Sequence, residues 1–194
     1  MIEVVCLNVG TKYTHDYEMR LYEALCRHTT TGFNFRIIRD EHFPGWWNKL
    51  LLFPPSVRTV FLDLDTVIVG NSDFLFAYEG PFCILEDFYY AGAYGSAVMS
   101  IAPGFGEQIR TSFLADSARI MHQCWGDQDW IRQQVPKADL WQQLYPGKIV
   151  SYKVHCQEEM PTDAALVCFH GEPKQTDLPQ SHRLRRIWEQ HAQC

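Results

Sequence analysis

Short apolar runs rich in β-branched and aromatic residues alternate along the chain with segments whose apolar residues recur every three or four positions. The runs predict strands at 2–9, 33–38, 60–64, 82–85, 97–101 and 165–169. Helical spacing predicts helices at 15–28, 107–115, 127–134 and 183–191, and a short helical stretch at 47–53. Strands that alternate with helices are typical of an α/β fold with a mostly parallel sheet, here as one domain over 1–194.

Composition and charge restrict the function further. The net charge is −6 and the basic residues are scattered, so we expect no surface for nucleic acid. Seven cysteines, an odd number without a CxxC pair, argue against a disulfide framework and favour a reducing, cytoplasmic location. No segment approaches the ~20 apolar residues that a membrane span needs, so we expect none.

The strongest functional signal is the motif Asp63-Leu64-Asp65, at the end of the apolar run 60–64. A buried carboxylate is costly unless it is paired or bound to a metal. If the strand continues through the motif, Asp63 and Asp65 face the same side at the carboxyl edge of the sheet, where α/β folds bind ligands. Carboxylate oxygens suit Mg²⁺ or Mn²⁺, which often complete their shell with substrate phosphates. The alternative is that both aspartates cap the turn that follows.

Together with Thr66, the motif also resembles the first motif of haloacid-dehalogenase-type phosphatases. In that family the first aspartate is a nucleophile and the second a general acid and base. The family places the motif near the N-terminus and follows it with a lysine and then an acidic Gly-Asp motif. Here Gly126-Asp127 precedes Lys153, so the phosphatase is the second interpretation.

The order of motifs along most of the chain resembles the GT-A glycosyltransferases, especially family 8, the glycogenin and galactosyltransferase-like group. The resemblance rests on Asp63-Leu64-Asp65, Asp127-Gln128-Asp129 and His170-Gly171. It implies one Rossmann-like GT-A domain that moves a sugar, with retention, from a nucleotide-sugar to an acceptor. The family favours a UDP-sugar donor, with GDP as the alternative. The acceptor, whether glycan, lipid or protein, cannot be inferred from the sequence.

The resemblance also assigns roles to individual residues. It implies that Asp63, Asp65 and His170 hold Mn²⁺ or Mg²⁺. The family spaces its late motif as His-x-x-Gly-x-x-Lys-Pro, whereas here the glycine directly follows His170 and the lysine is Lys174. The implied contacts to the nucleotide-sugar are Asn8, Val9, Tyr13, Asp40, Lys49, Asp63, Leu64, Gly171 and Lys174.

The residues that open the helix 127–134 are the candidates for chemistry. By resemblance, Asp127, Gln128 and Asp129 lie beside the reacting sugar carbon, with Asp129 as the first candidate. A helix N-terminus also favours carboxylates, so simple capping is the alternative. Glu86 and Asp87 are further carboxylates at the same edge of the sheet. A domain that binds the nucleotide-sugar without transferring it is the remaining alternative.

Overall fold

A computed structural model describes residues 1–190, which form a six-stranded sheet and a separate three-stranded sheet. The strands are β1 (Ile2–Leu7), β2 (Phe33–Ile38), β3 (Thr59–Leu62), β4 (Thr66–Ile68), β5 (Phe82–Glu86), β6 (Tyr94–Ile101), β7 (Asp139–Leu140), β8 (Ile149–Ser151) and β9 (Leu166–Cys168). The α-helices are α1 (His15–His28), α2 (Phe74–Ala77), α3 (Glu107–Ala115), α4 (Ser117–Gln123), α5 (Asp127–Gln134), α6 (Trp141–Leu144), α7 (Tyr152–His155) and α8 (Arg183–Gln190). Two 3-10 helices span Gly45–Leu52 and Gln175–Asp177.

The larger sheet has the strand order β2-β1-β3-β6-β5-β7, and most of its pairs are parallel. Strand β6 is the exception, because it runs antiparallel to both β3 and β5. The smaller sheet has the order β4-β9-β8, with β4 antiparallel and β8 parallel to β9. These pairings confirm the predicted α/β fold with a mostly parallel central sheet. In the described part of the chain, no helix is long and apolar enough to cross a membrane.

Both faces of the larger sheet are buried. Alternate residues of a strand point to opposite faces, so Val4 and Val5 of β1 belong to two different apolar clusters. Helices α1 and α8 and the smaller sheet supply the first cluster. The 3-10 helix Gly45–Leu52, α3 and α5 supply the second. Because both faces of the sheet are covered, its strands are continuous apolar runs and do not alternate apolar with polar residues.

Several predicted elements differ from those observed. The predicted strand 2–9 ends at Leu7, because the Asn8 side chain turns away to bond α1. The stretch predicted as helical at 47–53 is the 3-10 helix Gly45–Leu52, which stops before the two prolines that follow Phe53. Strands β4, β7 and β8 have two or three residues each, too few to show a period. The last residue of the predicted helix 183–191 lies outside the described residues.

A buried carboxylate on α1 fixes the chain where the first two strands end. Glu18 is 2% exposed and accepts hydrogen bonds from Asn8 after β1 (2.5 Å) and from Arg39 after β2 (2.5 and 2.7 Å). His15 Nδ1 lies 2.9 Å from the same carboxylate. Burial by itself raises the pKa of Glu18, but the hydrogen bonds from Arg39, Asn8 and His15 outweigh it and lower the pKa to about 2. Glu18 therefore holds Asn8 at the carboxyl edge of the sheet.

We predict that Glu18→Gln removes an acid-dependent part of the stability. The folded-state pKa of Glu18 lies below its ordinary value of 4.5, so its contribution is present above pH 4.5 and is lost as the pH falls toward about 2. Chemical unfolding at pH 7 should show a loss of roughly 2–3 kcal/mol in the variant. Between pH 4.5 and 2 the free energy of unfolding should fall less steeply in the variant than in the wild type.

The matched control is Glu158→Gln, because Glu158 is an exposed acid. That variant should keep the wild-type pH dependence. Identical slopes in Glu18→Gln and the wild type would show that Glu18 contributes nothing through its charge.

Candidate active site

The Asp63-Leu64-Asp65 motif forms a turn that joins the two sheets. Strand β3 ends at Leu62, and the Asp63 carbonyl accepts a hydrogen bond from the Thr66 N–H (3.0 Å), where β4 begins. The expected continuation of the strand through the motif is therefore wrong. The turn instead sends the two carboxylates to different lysines, and Leu64 packs its side chain into the core.

The first carboxylate, Asp63, pairs with Lys49 from the 3-10 helix Gly45–Leu52. Lys49 Nζ lies 2.8 and 3.0 Å from the two Asp63 oxygens. It also donates to the Ser96 hydroxyl (3.1 Å) and lies 3.3 Å from the Ser96 carbonyl. Burial lowers the pKa of Lys49, but the charges of Asp63 and Asp127 outweigh it and raise the pKa, so the ammonium stays charged. Ser96, the third residue of β6, was not predicted as a partner of Lys49.

A second carboxylate, that of Asp127 at the start of α5, acts on the same lysine. Asp127 is 1% exposed, and its Oδ2 makes no hydrogen bond to any described residue. Burial raises the pKa of Asp127. The charge of Lys49 and a hydrogen bond with Ser96 act in the opposite direction but do not cancel this rise. Burial likewise raises the pKa of Asp63 to about 6, against the opposing charge of Lys49. One buried cation therefore serves the buried Asp127 and the partly buried Asp63, and Asp127 Oδ2 is left without a partner among the described residues.

The second carboxylate of the motif, Asp65, pairs with Lys174. The Lys174 ammonium donates to Asp65 Oδ2 and to the Phe169 carbonyl (2.8 Å), and Tyr13 donates its hydroxyl to the same Asp65 oxygen (2.8 Å). Asp65 and Lys174 are each 6% exposed. Among the described residues nothing bonds the other carboxylate oxygen of Asp65. Burial and the charge of Asp65 raise the pKa of Tyr13, so its hydroxyl keeps the proton.

His170 is brought to the motif by strand pairing. Strand β4 pairs with β9, and the Phe169 N–H donates to the Asp65 carbonyl (3.1 Å). The His170 ring stacks on Phe88 (5.6 Å between ring centroids), and its Nε2 lies 2.6 Å from the hydroxyl of Ser151 at the end of β8. Burial, and then the charge of Lys153, lower the pKa of His170. The neutral imidazole that results is the form that binds metals.

Gly171 leaves space for a third lysine. Its φ is +67°, and a Cβ there would lie 2.9 Å from Lys153 Nζ, so a side chain would be strained and would displace the ammonium. Ser151 and Lys153 were not predicted as glycosyltransferase site residues. Ser151 ends β8 and Lys153 lies in α7 directly after it, and both elements are too short to be predicted from a periodic pattern.

The donor set suits a divalent cation. Carboxylate oxygens and a neutral imidazole are ligands that Mn²⁺ accepts, and Asp65 still has an unbonded oxygen. Within residues 1–190, however, no three His, Cys, Asp or Glu side chains form a ready-made metal site. An ion in this cleft would therefore take part of its shell from the phosphates of a ligand.

The remaining predicted residues lie in different surroundings. Asn8 Oδ1 is buried without a hydrogen-bond partner among the described residues. Asp40 is exposed, and Val9 is partly buried beside Asn8. Asp129 Oδ2 accepts a hydrogen bond from the Trp125 N–H (2.8 Å), so Asp129 holds the chain just before α5, while Asp127 faces Lys49.

Comparison with solved structures identifies the fold. The chain is similar to the glycosyltransferase GlyE of Streptococcus pneumoniae, with 14% sequence identity and a TM-score of 0.69 over 99% of this chain and 60% of that one. It is also similar to the galactosyltransferase LgtC in complex with donor and acceptor sugar analogues, with 12% identity and a TM-score of 0.66 over 98% and 95% of the chains. The fold is the GT-A glycosyltransferase fold.

A third GT-A glycosyltransferase is similar over almost its whole length. This enzyme, involved in glycosylation of the major capsid of PBCV-1, has 12% identity and a TM-score of 0.63 over 100% of this chain and 99% of its own. By contrast, the chain spans 60% of GlyE and 50% of the bifunctional glycosyltransferase WbbM. No protein-family model and no curated protein sequence matches the chain. The comparisons give no support to the phosphatase interpretation.

We predict that Lys49→Met destabilises the protein by roughly 3–5 kcal/mol, because it leaves the buried Asp127 and the partly buried Asp63 without their cation. The double variant Lys49→Met/Asp63→Asn should recover part of this loss, since one uncompensated charge is gone. Chemical unfolding of both single variants and the double variant at pH 7 measures the coupling energy.

Lys12→Met is the control, because Lys12 is exposed in the loop after β1, and it should change the stability little. Strictly additive losses from Lys49→Met and Asp63→Asn would contradict a pair that depends on its two charges.

Proposed function

We propose that this chain transfers a sugar from a nucleotide-sugar, most simply a UDP-sugar, to an acceptor bound beside the Asp63–Asp65 turn. The supporting observation is that this turn, in a GT-A fold, holds two buried lysines against its two carboxylates. A buried ammonium is costly, so an arrangement that keeps two of them in a cleft favours an anionic ligand. A nucleoside diphosphate is such a ligand.

In this proposal the lysines stabilise the departing nucleoside diphosphate. Lys174 and Lys49 flank the turn, and Lys153 lies against Gly171. Fixed cations that face the bond between sugar and phosphate stabilise the negative charge that develops as this bond breaks. Asp63, Asp65 and His170 would hold Mn²⁺ or Mg²⁺, and such an ion would neutralise further charge on the diphosphate.

The base of the nucleotide would lie at the end of β1. Glu18 accepts a hydrogen bond from Asn8 Nδ2 and so orients the Asn8 side chain. Asn8 Oδ1 then remains an acceptor without a partner among the described residues. Tyr13 follows in the same loop and is held by its bond to Asp65. An N–H of the base is the natural donor for that oxygen, and uracil has one such imide N–H.

We assign contact with the donor sugar to Asp127 rather than to Asp129. Asp127 shares Lys49 with Asp63, and its Oδ2 has no partner among the described residues. Sugar hydroxyls are hydrogen-bond donors that suit such an oxygen. Asp129 is already occupied by the Trp125 N–H. Retention of configuration stays a prediction from the family resemblance.

The pair of variants Asp127→Asn and Asp129→Asn tests this assignment. Asp127→Asn keeps the size of the side chain but removes its charge, so release of free sugar from UDP-sugar should fall by ~10² or more. Asp129→Asn should keep the hydrolysis rate and lose less than about 1 kcal/mol of stability, because Asn still accepts the Trp125 N–H and only the charge near the helix N-terminus is lost. The measurement is slow donor hydrolysis, followed by release of UDP from UDP-glucose, UDP-galactose and their N-acetyl forms, beside a thermal unfolding curve.

Two results would contradict the proposal in different ways. Equal hydrolysis by the wild type and Asp127→Asn would return the catalytic role to Asp129 or Gln128. Tight binding of UDP-sugars with no hydrolysis and no transfer would favour a domain that only binds nucleotide-sugar.

A further inference from the structure

Two exposed tyrosines extend outward from the candidate active site. Tyr89 and Tyr90, in the loop between β5 and β6, are 56% and 73% exposed, and their ring centroids are 6.5 Å apart. We call them the tyrosine pair. Large aromatic side chains are usually buried at least in part, so two adjacent exposed rings mark an interaction site.

The loop that presents the tyrosine pair is fixed by hydrogen bonds. Asp87 Oδ1 accepts from the backbone N–H groups of Tyr89 (2.8 Å) and Tyr90 (2.9 Å). Glu86 accepts from the Gly92 N–H (2.8 Å), and Gln142 bonds both backbone groups of Glu86 (3.0 and 2.8 Å). Because the turn is already ordered, a ligand that covers the rings pays little conformational entropy.

The tyrosine pair is continuous with the candidate site. The Tyr89 ring meets the His170 ring edge-on, with 5.4 Å between centroids and 81° between planes. His170 follows β9, whose register places it beside Asp65. A ligand stacked on the tyrosine pair would therefore reach the place where the donor sugar is transferred.

We propose that the tyrosine pair binds a neutral sugar ring of the acceptor. This inference rests on the proposed function, because it names the acceptor of the same site. One face of a sugar ring presents apolar C–H groups and its rim presents hydroxyls. A tyrosine offers an apolar ring and a polar hydroxyl that match both.

The charge of the loop argues against an anionic partner. Residues 86–93 carry the carboxylates of Glu86 and Asp87 and no basic residue. An anionic membrane surface is attracted by clustered lysines and arginines, which this loop lacks. Two rings also cover far less area than an interfacial helix buries in a lipid surface.

The test is saturation-transfer NMR of the full chain with four neutral disaccharides: lactose, maltose, cellobiose and N,N′-diacetylchitobiose. At least one disaccharide should receive magnetic saturation from the protein, and its C–H protons should receive the most. Tyr90→Ala should reduce the transfer by roughly fivefold or more, whereas Tyr90→Phe should keep most of it because the ring remains. The matched control is Tyr22→Ala, since Tyr22 is 40% exposed and packs on Phe33 at the opposite edge of the sheet.

Three results would overturn the inference. The first is that no disaccharide receives saturation from the protein. The second is that Tyr90→Ala leaves the saturation transfer unchanged. The third is binding that depends on Tyr90 but appears only with anionic lipid vesicles or with a Ser/Thr-rich peptide. Donor hydrolysis by the wild type separates this failure from that of the proposed function. If UDP-sugar is hydrolysed but no disaccharide binds, only the acceptor assignment is wrong. If UDP-sugar is neither bound nor hydrolysed, the proposed function is wrong and the acceptor assignment with it.

Discussion

The burial of two lysine ammonium groups beside one turn determines how the cleft is built. An ammonium loses several kcal/mol of hydration when it is buried, and only a close carboxylate with further hydrogen bonds offsets this cost. Lys49 meets Asp63 and Ser96, and Lys174 meets Asp65 and the Phe169 carbonyl. The elements that carry these four charged groups must therefore stay in register, which ties the 3-10 helix, the turn and the segment after β9 together.

In the proposed function the same pairs would prepare the site for a highly charged ligand. Each carboxylate of the turn has a lysine beside it, and Asp127 shares Lys49 with Asp63. Phosphate oxygens can take the place of the carboxylates at the lysines, and a metal can take the place of the lysines at the carboxylates. Because the lysines are already buried and held in place, they need little reorganisation to act on a diphosphate.

The sequence predicted those features of the fold that depend on neighbouring residues better than those that depend on long-range contacts. Helices α1, α3 and α5 lie at the predicted residues, because their apolar spacing is a local property. The family resemblance predicted Lys49 and Lys174 as contacts to the nucleotide-sugar, but their partners in the protein depend on long-range packing, with Lys174 and Asp65 109 positions apart. The Asp63–Asp65 turn was predicted as strand, since a tight turn between two apolar runs has the same local pattern.

The choice between Asp127 and Asp129 shows the same limit. Both lie in the first turn of α5, and residues two apart on a helix point to different sides. The sequence does not say which side faces Lys49; the prediction named Asp129 first, whereas we propose Asp127 because it faces Lys49. Ser151 and Lys153 were not predicted as site residues, because a strand of three residues and the short helix after it give no periodic signal.

Isothermal titration of the wild-type chain with UDP, once with Mn²⁺ and once with EDTA, measures whether the Asp63–Asp65 turn holds a metal–diphosphate site. We predict an affinity at least ~10-fold higher with Mn²⁺, a difference of about 1.4 kcal/mol. We also predict that Asp65→Ala abolishes this difference. Equal affinities in Mn²⁺ and EDTA, or a metal effect that survives Asp65→Ala, would contradict a metal–diphosphate site at the Asp63–Asp65 turn.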